Sequence, residues 1–311
     1  MATVAIFFWI NIMGWKTVVI GTECKVSLSM NRMKVTIGEE YYNYSLTDID
    51  TVIFTHNRVC ITTPLISKLI EKNIGIIMCD DRNDPIGIFL PFNGHSVVFR
   101  QLKKQMNWKI TRKKRLWKTI VEEKIKTEID VLDQVTSNCQ TVEMLKVYHD
   151  SVYNDDQTNR EGSSARVYFK ELFGEEFTRE SNTVVNIALN YGYKILASYI
   201  SKCIAARGYL TQLGVHHIGE SNPFNLTYDF IETFRDIIDL WVFNNIADQF
   251  NTSNKLEIIR IMEYKVNLGG KWIRLNDAIE DVVDSYFAFL NEEKDKVLVI
   301  DLSKGIRSIE E

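Results

Sequence analysis

The hydrophobic period of this chain changes once, near Asn93 to Val97, and that change limits the possible architecture more than any other feature. Before it, short runs rich in Val, Ile, Thr and Tyr alternate with turn residues. Lys16 to Ile20, Lys25 to Met30, Arg32 to Ile37, Tyr41 to Tyr44 and Thr51 to Thr55 read as strands, with hairpin turns at Met30-Asn31-Arg32 and Gly38-Glu39. Pro64 opens a short helix over Leu65 to Lys72, because proline is tolerated in a first helical turn. Gly75 to Cys79 and Ile86 to Leu90 read as buried strands parted by the polar turn Asp80 to Asp84. After Pro91, Asn93 and Gly94 the spacing becomes helical: Leu102, Met106, Ile110, Trp117, Val121, Ile125, Ile129 and Leu132 recur three, four or seven apart. The expected class is α+β. A β-sandwich domain with one short helix spans residues 13–95, and a larger all-α domain spans 96–311.

Several function classes drop out early. Residues 1–12 are apolar but too short to span a bilayer and lack a basic leading region, so they read as an upstream extension, with the functional chain beginning at Met13. Five scattered cysteines, never in Cys-x-x-Cys spacing, make neither a disulfide framework nor a zinc ribbon and fit a reducing cytoplasm. A formal charge of −4 argues against indiscriminate nucleic-acid binding while leaving room for local patches. No Gly-Lys-Ser/Thr phosphate loop, G-x-G-x-x-G turn or G-x-S-x-G elbow is present, so nucleotide hydrolysis, dinucleotide redox chemistry and serine hydrolysis lack support.

Three stretches carry chemistry. The first is basic: Arg100, Lys103, Lys104, Lys109, Arg112, Lys113, Lys114, Arg115 and Lys118 follow one another with no acid between them, and Trp108 and Trp117 are interleaved. Two readings fit it, a phosphate-binding face with aromatics for stacking, and a solvated helix side whose tryptophans lie in the core. The second is Leu213 to Arg235, with His216 and His217 in a glycine-bounded turn and Asp229, Glu232, Asp236 and Asp239 spaced along one helix face, opposite Leu226, Phe230, Ile237 and Trp241. Neutral imidazole and carboxylate are ligands for a divalent metal, and four like charges in a row need cations to answer them. An ordinary loop beside a solvated helix face accommodates the same residues. In the third, Glu161 sits at the start of a helix that Gly174 ends, where it could serve the helix dipole alone. Between the last two, Thr183 to Ala206 reads as a long helix interrupted by Asn186, Asn190 and Gly192, positions suited to close packing.

Four linked motifs then resemble a known family. They are Asn159-Arg160-Glu161-Gly162 with Ala165 and Tyr168-Phe169; Asn186-x-x-Leu189-Asn190-Tyr191-Gly192-Tyr193; Leu213-Gly214-Val215-His216-His217; and Phe224-Asn225-Leu226 leading to Asp229-Phe230-Ile231-Glu232-x-Phe234-Arg235. In this order and spacing they resemble the CRISPR-associated integrase, catalytic subunit of the spacer-acquisition complex, and the doubled histidine is most like the branch that accompanies type II systems. The resemblance implies an N-terminal β-sandwich joined to a helical catalytic domain, and a homodimer. It further implies a small partner dimer of ferredoxin-like fold that bridges two such dimers. It implies a metal-dependent DNA endonuclease and integrase that inserts short foreign DNA fragments into a CRISPR array by 3′-hydroxyl transesterification. Its partners would be double-stranded DNA, both the incoming fragment and the repeat, and no membrane. Carried over by motif, Glu161, His217 and Glu232 are the metal ligands and catalytic residues, with Asp229 and His216 secondary. Two carboxylates and one imidazole favour Mg2+ or Mn2+ over zinc. Lys104, Arg112, Lys113, Arg160 and Arg166 are the candidate DNA contacts. Ser164 and Asp236 depart from the family pattern, where alanine and proline are usual. Two rivals remain: a metal-dependent nuclease that only hydrolyses branched or single-stranded DNA, and a non-catalytic DNA-binding scaffold.

Overall fold

The computed structural model describes residues 16–80, 85–89 and 98–308. The extension at 1–12, the start at Met13, the period change at 93–97 and most of the Asp80 to Asp84 turn lie outside them. Two compact units form: the described residues up to Val98 with Ala205–Gly208, and those of Phe99–Ile204 and Tyr209–Glu311.

The first unit is strand-rich. Strands β1 (Lys16–Ile20), β2 (Cys24–Ser29), β3 (Arg32–Ile37), β4 (Glu40–Ser45), β5 (Ile49–Phe54) and β6 (Val59–Ile61) precede helix α1 (Thr63–Glu71), and β7 (Gly75–Cys79) and β8 (Pro85–Phe89) follow it. They form two sheets, ordered β1-β5-β7-β8 and β4-β3-β2-β6. Met30 and Asn31 both take positive φ, +47° and +59°, which is the twist a tight β2–β3 hairpin requires. Pairing is mixed: β1, β5 and β7 run parallel, as do β2 and β6, while β8 and the β2-β3-β4 meander are antiparallel. Both sheets feed one core in which Ile20, Val26, Met33, Val35, Val52 and Phe54 meet Leu65 and Leu69 of α1. Strand β6, three residues long, is too short for periodicity to reveal.

The second unit is mainly helical: α2 (Val98–Met106), α3 (Ile110–Val135), α4 (Cys139–Asp150), α5 (Arg160–Phe173), α6 (Val184–Ala206), α7 (Asn225–Ile231), α8 (Arg235–Asn245) and α9 (Thr252–Arg260). It is not all-α. Strands β9 (Lys265–Leu268) and β10 (Lys271–Arg274) form a hairpin before α10 (Leu275–Leu290), and β11 (Ile300–Asp301) pairs with β9 to make a three-stranded antiparallel sheet. Gly269 and Gly270, at φ +59° and +85°, allow the reversal that a helix through this stretch would forbid. The expected single helix across the acidic stripe is also corrected: it breaks at Glu232 to Phe234, giving α7 and α8. Gly192 of α6 is the expected close-packing position, since a Cβ there would collide with Ile238 of α8.

The candidate metal site and its supports

Helix α3 supplies the floor of the site. Trp117, Ile120, Val121, Lys124, Ile125, Glu128 and Val131 are all buried, so Lys124 and Glu128 occupy inward positions of an otherwise apolar stripe. The Lys124 ammonium donates to Glu161 Oε1 and, at 2.6 Å, to Glu232 Oε2. Glu161 and Glu232, from separate helices and motifs, therefore converge on a single cation. Arg235 donates to the other oxygen of Glu232, also at 2.6 Å. Burial pushes the Glu232 carboxyl up, but Arg235 and Lys124 outweigh it and hold the group down to about 2. Burial likewise works against the Lys124 ammonium, and the charges of Glu232, Glu161 and Glu128 more than offset it, so lysine stays charged.

Glu161 is free to face this cation because other groups cap its helix. Asp156 accepts from the backbone N–H groups of Arg160 and Glu161 at 2.8 and 2.9 Å, and the Asn159 side chain accepts from Gly162. The first-turn amides of α5 are thus satisfied without the Glu161 side chain, and dipole complementarity is not its main role.

Asp229 organises the histidine loop. Fully buried on α7, it accepts from the backbone N–H of Val215 (2.6 Å), His216 (3.2 Å) and His217 (2.9 Å), and from the His217 ring through Nδ1 at 2.7 Å. That last bond puts the ring proton on Nδ1 and leaves Nε2 with a lone pair, the state a metal ligand needs. The Asp229 hydrogen bond raises the His217 pKa against desolvation, and the charges of Asp229, Glu232 and Glu161 add to it. Gly214 makes the approach possible: a Cβ there would strike the His217 carbonyl and the Asp229 carboxylate. Asp229 therefore orients a ligand rather than facing the cation itself. His216 lies flat on Trp117, with ring centroids 4.2 Å apart, and the same indole meets His217 edge-on at 5.7 Å.

The remaining acids of the stripe are buried and individually partnered. Asp236 accepts from the Thr127 hydroxyl, and Asp239 accepts from Tyr193 at 2.5 Å. A solvated helix face is thereby ruled out for all four.

The basic run reads differently in three dimensions. Trp108 and Trp117 are buried, so they pack rather than offer stacking surfaces. Lys104 pairs with Glu293 (3.0 Å), Lys109 with Glu292 (2.8 Å) and Arg112 with Asp295 (2.8 Å). Lys113 and His217 both line a cleft of about 620 Å³ bounded by the loop Gln212 to Pro223. Arg160 lies over the Tyr148 ring at 5.2 Å, and Arg166 is exposed. Lys124 escaped the sequence reading, although a lysine and a glutamate at core-facing positions of an amphipathic helix were a visible signal.

The donor chemistry fits a hard divalent ion, since two carboxylates already converge on one cation and His217 is held with Nε2 open. Among the described residues no group of three or more His, Cys, Asp or Glu is gathered closely enough to hold an ion. Also among them, no helix is long and apolar enough to cross a membrane.

Comparison with known proteins identifies relatives of the whole chain. The family model "CRISPR associated protein Cas1" matches residues 17–260. The CRISPR-associated endonuclease Cas1 of Neisseria meningitidis serogroup C is 32% identical over 92% of this chain and 95% of its own. In fold, the chain resembles a casposase bound to integration product, with TM-score 0.71, 20% identity and 94% coverage of both chains. It also resembles a chain of a Cas6-RT-Cas1–Cas2 complex, with TM-score 0.70 and 16% identity over 93% of this chain and 36% of that one. The chain belongs to the CRISPR-associated Cas1 family.

Proposed function

We propose that this protein is a metal-dependent DNA integrase that inserts short foreign fragments into a CRISPR array. The observation that carries it is the convergence of Glu161 and Glu232 on one cation, beside a histidine whose tautomer Asp229 fixes. Glu161, Glu232 and His217 Nε2 would hold Mg2+ or Mn2+. Bound there, such an ion supplies a Lewis acid for charge developing at phosphorus and lowers the pKa of an attacking hydroxyl.

The residues of this chain supply binding and orientation. Asp229 keeps His217 in its productive tautomer, and Trp117 fixes both imidazole rings by packing. Arg235 keeps Glu232 ionised. Lys113, beside the cleft, and the exposed Arg166 are placed to meet phosphates; Lys104 and Arg112 can do so once their acidic partners give way. In the reaction, the 3′-hydroxyl of the incoming fragment forms a new bond to phosphorus. The bond from phosphorus to the 3′-oxygen of the repeat-edge strand breaks, and that oxygen takes up a proton. Phosphodiester bonds are conserved, so no ATP is required. The working assembly is a homodimer, with a small ferredoxin-like partner dimer bridging two of them on double-stranded DNA. The occurrence of a similar chain in a Cas1–Cas2 complex supports this assembly.

The test is a gel assay of labelled DNA ends with a repeat-containing target in Mn2+. Wild-type protein should give joined, higher-mass strands, and His217→Ala should lose about 10²-fold or more in rate, the scale of removing one transition-state-stabilising group. Only shortened strands would mean a hydrolase. Salt-sensitive DNA binding with no strand chemistry, unaffected by Glu161→Ala, would mean a scaffold.

A further inference from the structure

The ammonium at the centre of the site needs its own account. Without an ion, the two carboxylates are answered by Lys124 and Arg235, so the local charge is already balanced. A divalent ion cannot share the position that Lys124 Nζ fills, and Lys124 has little room to retreat into solvent because it is 4% exposed. Its alternative partner must lie inside the protein.

One turn along α3, Glu128 meets that description. It is fully buried, and neither of its carboxyl oxygens accepts a hydrogen bond of ordinary geometry, the neighbouring Ser164 hydroxyl donating instead to the Glu161 carbonyl; the hydroxyl of the fully buried Tyr168 is unpartnered as well. Buried polar atoms without partners are rare, and each calls for an explanation. Residues four apart on a helix lie on the same face, within reach of a lysine side chain. An ammonium also carries three donors, of which the carboxylate pair uses two.

We propose that Lys124 is a displaceable counter-cation: its ammonium holds Glu161 and Glu232 together in the metal-free protein and passes to Glu128 when a divalent ion takes its place. Lys124 is then a positioning residue. It keeps two buried carboxylates from repelling each other before metal arrives, and metal affinity is set by competition with it. Glu128 is the receiving group: it releases its carboxyl proton to solvent as the ammonium arrives, and its oxygens are the vacant half of a two-position switch. The inference rests on the metal-site reading above and deepens it.

Mn2+ alone is the probe. Its binding is measured by calorimetric titration, and metal-free melting is followed in chelator, for wild type, Lys124→Met and Glu128→Gln at one fixed pH. Lys124→Met should melt lower without metal, bind Mn2+ at least about tenfold tighter, and gain more in Tm on Mn2+ addition. Glu128→Gln should bind Mn2+ several-fold more weakly while melting no lower than wild type without metal. If Lys124→Met does not fold, Glu128→Gln decides alone, and an unchanged Mn2+ affinity in it overturns the proposal. So does a folded Lys124→Met that binds Mn2+ no tighter than wild type. A Mn2+-soaked crystal should show Lys124 Nζ on Glu128; an ion bound with Lys124 still bridging Glu161 and Glu232 would also overturn it. Wild-type protein that binds no Mn2+ defeats the metal-site reading itself, which separates that failure from failure of the switch.

Discussion

Asp229 shows how much a single residue can change meaning between sequence and structure. From its spacing it stood as a spare ligand three residues before Glu232; in the fold its two oxygens collect three backbone N–H groups and one imidazole proton from the histidine loop. Asp229→Asn replaces an acceptor-only group with one whose NH2 end must face donors. We expect it to cost about 1–3 kcal/mol, the range for leaving buried donors unsatisfied, and to slow strand joining without abolishing metal binding. Because the Asp229 hydrogen bond is the leading cause that raises the His217 pKa, that pKa should fall in the variant. The sign follows: a raised histidine pKa contributes stability that is present below its unfolded value and lost as pH rises through the folded one, and the variant should lose that pH dependence. An NMR titration of the His217 ring reads it directly, and an unmoved titration would refute the assignment. The residue types of this site were legible in the sequence. The division of labour was not, because the partners of Asp229 are main-chain groups that carry no sequence signature.

At the scale of elements, what the sequence displays well is whatever a helix or hairpin declares locally. Gly174 ends α5, Gly192 marks the α6–α8 approach, and Met30-Asn31 turns β2 into β3. What it conceals is pairing between distant segments. The β9–β11 ladder joins strands on either side of α10, and the acid partners of the basic run lie beyond α10 as well. Those acids, Glu292, Glu293 and Asp295, sit in the turn after α10 and cover Lys109, Lys104 and Arg112 as DNA phosphates would. Exposed ion pairs of this kind contribute about 0–1 kcal/mol each, so removing them should barely move Tm. A Glu292→Gln, Glu293→Gln, Asp295→Asn triple variant should instead bind DNA more tightly. Each freed cation that gains a phosphate should steepen the slope of log affinity against log salt by about 0.9. Fluorescence anisotropy across a salt series measures both quantities, and equal slopes for variant and wild type would remove these three side chains from the DNA surface.

For the molecule as a whole, the buried acids set a pH profile that the mildly acidic composition does not foretell. Burial pushes Glu128 up to about 8 and Asp239 up to about 6, and it raises Asp236 as well, helped by the charges of Glu128 and Asp239. Groups with raised carboxyl pKa values contribute stability that is complete below their unfolded values near 4 and is lost as pH climbs through the folded ones. Glu232 has the opposite sign: held at about 2, it contributes stability above its unfolded value that is lost as pH falls toward 2. Metal-free protein should therefore be most stable in mild acid, between roughly pH 4 and 6, with losses on both sides. Glu128→Gln mimics the protonated acid and cannot ionise, so it should keep most of the stability that wild type sheds between about pH 5 and 8, the span of the Glu128 shift. The two proteins should converge in Tm below about pH 4.5, where wild-type Glu128 is protonated folded or unfolded. Scanning calorimetry in chelator across that range provides the test. Parallel curves for the two proteins would mean that Glu128 is ionised throughout and already partnered, and the excess charge behind the metal site would then have to be balanced by a group other than Lys124.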